Sequence, residues 1–169
     1  MKNIVLIGMP AAGKSTIGVI LAKALGYDFI DADLVIQSRE GALLKDIIKE
    51  KGLDEFIRIE NEVNQSIMNK HAVIATGGSV VYGREAMKHY YETATVVYIQ
   101  LNYDTLVKRL GNIKQRGVVL REGQTLEELY RERCPLYEKY AHIIVDAEAL
   151  DVEGLMEKIY LEIKKGFTN

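Results

Sequence analysis

Lys14 and Ser15 follow a glycine in GMPAAGKST (8–16), between the apolar run NIVLIG (3–8) and the helically spaced KSTIGVILAKALG (14–26). The pattern is G-x-x-x-x-G-K-[ST] with a strand before it and a helix after it, the setting its chemistry requires. Glycine lets the backbone curl so that successive amides point at phosphate oxygens, and the helix N-terminus adds its positive dipole end. Gly8, Ala11, Ala12, Gly13, Lys14, Ser15 and Thr16 are the expected phosphate contacts. Lys14 would reach the β- and γ-phosphates, and the Ser15 hydroxyl stands where Mg²⁺ is coordinated. This stretch predicts binding of a nucleoside triphosphate.

Apolar runs must position that loop. NIVLIG, YDFID (27–31), AVIAT (72–76), TVVYIQL (95–101) and HIIVD (142–146) lack the alternation of half-exposed strands, and helical segments separate them. Runs of this kind predict a parallel sheet covered on both faces, in a three-layer α/β fold. Residues 111–124, GNIKQRGVVLREGQ, carry three glycines, three basic residues and no helical period, which predicts a lid loop. VEGLMEKIYLEIKK (152–165) predicts a final helix.

Bulk composition narrows the classes. At 169 residues, 48% apolar and 27% charged, the chain has the makeup of one soluble domain. A net charge of −2 offers no bulk attraction to nucleic acid or an anionic membrane. Cys134 is the single cysteine, so no internal disulfide forms, and its expected role is that of a small apolar residue. The opening MKNIVLIGMPAAG imitates a secretory leader, but Gly8 and Pro10 break the apolar run, and no stretch approaches the ~18 apolar residues of a membrane span. The expectation is a cytoplasmic protein. The single D-x-x-G, DVEG (151–154), opens the last helix, and no N-K-x-D is present, which argues against a switch GTPase. Asp146, closing HIIVD, reads as structural.

GMPAAGKSTIG, FIDAD (29–33), FIRIE (56–60), ATGGS (75–79), RGVVL (116–120) and RCPLY (133–137) together resemble the motif series of the shikimate kinases over nearly the whole chain. The resemblance implies a P-loop kinase of nucleoside-monophosphate-kinase type. Its five-stranded parallel sheet (core 1–32, 71–110 and 125–169) would carry a helical substrate-binding insert at about 33–70 and a lid at about 111–124. By position it implies that Asp31 orients Mg²⁺ and that Asp33 binds the acceptor hydroxyl and takes its proton. It likewise implies that Arg116 closes over the ATP phosphates with Arg109 beside them, and that Arg133 holds an acceptor carboxylate. The resemblance implies, too, that Gly77 and Gly78 line the acceptor.

Two positions depart from that pattern. Where the family carries arginine after the phenylalanine, this chain has Ile57, and where it carries a third glycine, this chain has Ser79. The arginine of FIRIE comes one residue late. At about 100° per residue, Phe56, Ile59, Val63 and Ile67 form one apolar stripe, whereas Arg58 falls among Glu55, Glu62, Gln65 and Asn69. Carboxylates at i−3 and i+4 predict a solvated ion-pair face for Arg58. Ser79 would add a hydroxyl beside the acceptor, and would restrict the backbone if φ there were positive.

The expected activity is an ATP- and Mg²⁺-dependent kinase acting as a monomer on a hydroxyl of a small polar metabolite, nominally shikimate. Ile57 and Ser79 keep open a hydroxy amino acid or a polyol as acceptor. A regulatory ATP-binding protein is the alternative from another class, one with little use for Asp31, Asp33 and Arg116 together.

Overall fold

A computed structural model describes residues 2–111, 118, 120–166 and the backbone of Phe167. The stretch expected as a lid falls in large part outside the described residues, and Arg116 with it.

Five strands form one sheet: β1 (Asn3–Ile7), β2 (Asp28–Asp31), β3 (Ala72–Ala75), β4 (Ala94–Gln100) and β5 (Ile143–Asp146). Their order is β2-β3-β1-β4-β5, and every pairing is parallel. Val5 aligns with Ile74 on one side and Val96 on the other. The chain leaves β1 toward one edge and later crosses to the other, so the strand order reverses beside β1. In open parallel sheets that reversal leaves a crevice at the carboxyl ends of the strands, where ligands bind. Gly8, Asp31 and Thr76 follow or end three of these strands.

The helices are α1 (Lys14–Leu25), α2 (Ala32–Glu40), α3 (Leu44–Lys51), α4 (Leu53–Ser66), α5 (Arg84–Thr93), α6 (Tyr103–Leu110), α7 (Leu126–Tyr140) and α8 (Val152–Phe167). Because strand side chains alternate between faces, β1 feeds two cores at once. Val5 and Ile7 pack with Met87 and Tyr90 of α5, Leu106 of α6 and Tyr137 of α7. Ile4 and Leu6 pack with Ile17 and Leu21 of α1 and Ile159 of α8. A third, smaller cluster joins Ile36 of α2, Ile47 of α3 and Phe56, Ile59 and Val63 of α4. The stripe expected on α4 is the face that enters it, and α4 ends at Ser66, one residue before Ile67.

Gly18 seats α1 directly against the Phe29 ring of β2. A methyl group on Gly18 would sit 2.6 Å from the ring of Phe29, nearer than carbon atoms approach. Only glycine allows this seating. Among the described residues no helix is long and apolar enough to cross a membrane.

Candidate active site

The loop between β1 and α1 is shaped by left-handed or related conformations at Gly8 (φ 146°), Ala11 (φ 63°) and Gly13 (φ 93°). Lys14 starts α1 and is buried; its Nζ donates to the carbonyls of Gly8 and Met9, both at 2.8 Å. Burial lowers its ammonium to about 8, against the opposing pull of Asp33. Ala12 is packed into the core, while Ser15 and Thr16 are exposed at the first turn of α1. Arg109, in the last turn of α6, reaches the Ala11 carbonyl at 3.5 Å, on the rim of this loop.

Asp31 ends β2 and caps α2. Its Oδ1 accepts from the Asp33 amide at 3.0 Å, which is the usual reason an aspartate stands before a helix. Its Oδ2 accepts from the Ser15 hydroxyl at 2.9 Å. The two candidate metal residues therefore meet across the α1–β2 seam.

Beside the loop lies a cavity of about 500 Å³. Lys14, Ser15, Asp33, Gly77, Gly78, Ser79 and Arg133 all line it. Thr76 fixes the turn after β3 by donating from Oγ1 to the Leu6 carbonyl at 2.8 Å, and Tyr137 donates to the Gly78 carbonyl at 2.5 Å. Arg133 is 1% exposed, with its guanidinium 5.3 Å from the centre of the Tyr82 ring and its Nε donating to the Tyr82 hydroxyl at 3.4 Å. That stacking keeps a buried cation oriented. Asp33 has its carboxyl raised above the ordinary range, first by burial and then by Asp31, with Lys14 opposing.

Glu60 is the residue sequence reasoning undervalued. It is 1% exposed on α4 and lines the cavity; its Oε2 accepts from the Ser79 hydroxyl at 2.6 Å, while its Oε1 has no hydrogen-bond partner. Burial raises its carboxyl to about 7, with the Ser79 hydrogen bond acting the other way. Gly77 makes room for this group: a methyl there would lie 2.7 Å from Glu60 Oε1 and 2.9 Å from Asp33 Oδ1. A carboxyl at position 60 was visible as part of FIRIE, but its partner lies 19 residues away.

The two departures resolve differently. Ser79 has φ −86° and ψ −3°, so the restriction expected at positive φ does not arise, and its hydroxyl is committed to Glu60. Ile57 is half-buried and is not among the residues lining the cavity. Arg58 is 54% exposed and holds Glu55, through Nε at 2.9 Å and Nη2 at 2.6 Å, together with Glu62. It points away from the chemistry, as its flanking carboxylates predict. A cation that the sequence did not single out does line the cavity: Lys45, in the first turn of α3, near Gln37, Leu44, Ile48 and Phe56.

Cys134 lies outside this cavity. It accepts from the Tyr98 hydroxyl at 3.5 Å, and burial pushes its thiol up, the reverse of what a nucleophile needs.

Comparison with known proteins agrees along the chain. The shikimate kinase family model matches residues 10–164. The shikimate kinase of Thermodesulfovibrio yellowstonii is 37% identical over 168 residues, covering 98% of this chain and 96% of that protein. The shikimate kinase of Sulfurihydrogenibium sp. is 32% identical over 166 residues, covering 98% and 99%. Among solved structures, shikimate kinase from Acinetobacter baumannii in complex with shikimate superposes with a TM-score of 0.90 at 30% identity, covering 98% of this chain and 94% of that one. Shikimate kinase from Aquifex aeolicus gives 0.84 at 32% identity, covering 97% of each.

Proposed function

Because this chain belongs to the shikimate kinase family, we propose that it transfers the γ-phosphoryl group of Mg-ATP to a hydroxyl of shikimate. The observation that carries this reading is the common cavity of Lys14, Asp33 and Arg133: a phosphate cation, a candidate base and a buried acceptor cation face one space. Near full-length likeness to shikimate kinases does not favour a hydroxy amino acid, a polyol or a purely regulatory role.

The residues present fit the nucleotide and its metal. The Lys14 ammonium lies on two carbonyls of a curled loop, ready to exchange them for phosphate oxygens. Mg²⁺ is commonly held by one or two protein oxygens with phosphates and water rather than by a protein cage. Ser15 with Asp31 supplies such a pair, and no group of three or more acidic, His or Cys ligands occurs among the described residues. When bound, the metal supplies neutralisation of the charge shared by the β- and γ-phosphates.

The chain's own residues do the rest. Asp33 receives the proton of the attacking hydroxyl, a role for which a raised carboxyl is better matched than an ordinary one. Arg133, held by Tyr82, takes the acceptor carboxylate. Gly77 and Gly78 bring backbone against the acceptor. Arg109 and Arg116 are assigned to the donor phosphates. The protein acts as a cytoplasmic monomer in this reading, without nucleic acid or membrane partners.

Coupled ADP release over a panel of hydroxylated metabolites tests it. The expected result is turnover that needs shikimate, ATP and Mg²⁺ together, with loss of at least ~100-fold in Lys14→Ala. ATP binding with no acceptor-dependent turnover would replace the kinase with a regulatory protein.

A further inference from the structure

An anionic acceptor entering this cavity meets as many carboxyl groups as buried cations. Asp33 and Glu60 present carboxyl groups, and the buried cations are Lys14 and Arg133. Lys14 sits on the phosphate loop and serves the donor. Position 57 offers no charge, and Arg58 is tied to Glu55 and Glu62 on the outer face of α4. Among the described cavity-lining residues, that leaves Lys45.

Lys45 has the features of a ligand cation. It makes no ion pair or hydrogen bond among the described residues, although acidic side chains are plentiful on the neighbouring helices. Its backbone is anchored: the Leu44 amide donates to Gln37 Oε1 at 3.2 Å, and Ile47, two residues on, is buried against the α2–α4 cluster. Gln37 and Leu44 line the same cavity wall as Lys45. A four-carbon stem on an anchored helix turn gives an exposed, cavity-lining ammonium the reach to meet an anion there.

We propose that Lys45 is the second cation for the acceptor's carboxylate, acting with Arg133. This makes Lys45 a specificity-determining residue rather than a catalytic one. The inference rests on the kinase reading above. It places the cation on α3, where a substituted position on α4 leaves none.

The test uses the full chain, with shikimate and shikimate methyl ester as probes, and reads both calorimetric binding and steady-state turnover. In Lys45→Met, the shikimate Kd and KM rise ~10-fold, the effect expected from removing a partly solvated charge partner. The change in kcat stays below about threefold and the KM for ATP is unchanged, because Lys45 touches neither the reacting oxygen nor the phosphates. Lys45→Arg restores affinity, and the neutral ester binds wild type and Lys45→Met alike. Lys45 is exposed, so folding is not at stake. Equal shikimate affinity in wild type and Lys45→Met, with normal wild-type turnover, would remove Lys45 from the site and leave the kinase intact. An ester that loses as much affinity as the acid would likewise overturn a carboxylate contact. Failure of the wild type to bind or turn over shikimate would remove the acceptor assignment, and Lys45's role with it.

Discussion

Ser79 gives its hydroxyl hydrogen to Glu60 Oε2 across 2.6 Å, inside a cavity wall where both side chains are almost fully buried. The bond favours the ionised carboxyl, but burial outweighs it and the group titrates near 7. Asp33 adds to the upward shift, while Arg133 and Lys14 oppose it.

A stability consequence follows from the direction of that shift. The ordinary value for this carboxyl is 4.5 and the folded one about 7. Below 4.5 the group is protonated in both states and burial carries no charge penalty. As pH rises through 7 the folded state must hold a buried carboxylate, and stability is lost. Glu60→Gln removes the titration and keeps an acceptor for Ser79. Its melting temperature should exceed the wild type's at pH 8 by a few °C, since ~1 kcal/mol moves a domain of this size by about 2–4 °C. The two proteins should converge at about pH 4, below the ordinary value of this carboxyl. Equal melting temperatures at pH 8 would show that Glu60 carries no charge penalty in the fold.

As the proposed base, Asp33 would set the acid limb of the rate. A base must be ionised to accept a proton, and burial with Asp31 holds this carboxyl above the ordinary range. Activity should therefore fall, as pH is lowered, earlier than an ordinary aspartate would dictate. Asp33→Asn should lower kcat by about 10²–10⁴-fold and abolish that limb while ATP binding persists. A pH profile unchanged in shape in the variant would assign the limb to another group.

Arg58 supplies the contrast. Exposed ion pairs on a helix surface contribute about 0.2–1 kcal/mol. Arg58→Ala should leave the acceptor KM within about twofold and shift thermal stability only slightly. A tenfold rise in KM would mean that α4 turns position 58 inward during turnover.

Much of this was legible from local pattern. The phosphate loop declares itself because its chemistry is contiguous: curl, amides, lysine and hydroxyl lie within nine residues. The inner face of α4 follows from the spacing of Phe56, Ile59 and Val63, and the outward turn of Arg58 from its neighbours Glu55 and Glu62. The parallel sheet followed from unalternated apolar runs. Long-range relations were not legible. Ser79 reads as an intrusion at a glycine position until its negative φ and its bond to Glu60 are known. Lys45 sits in a helix with four lysine or acidic neighbours, LKDIIKEK, a pattern indistinguishable from any solvated face until α3 is seen beside the cavity. The stacking of Arg133 on Tyr82 joins segments 51 residues apart.

The seating of Gly18 on Phe29 reaches further than packing. Gly18 lies one helical turn after Ser15, and Phe29 lies two residues before Asp31, so the same pair of elements that touch there also carry the hydroxyl–carboxylate bond at 2.9 Å. The separation of the two candidate metal residues is thus gauged from behind, where the first turns of α1 seat on β2. A single methyl group added at that shim would push against the Phe29 ring and press the helix off the strand, widening the gap without altering Ser15 or Asp31.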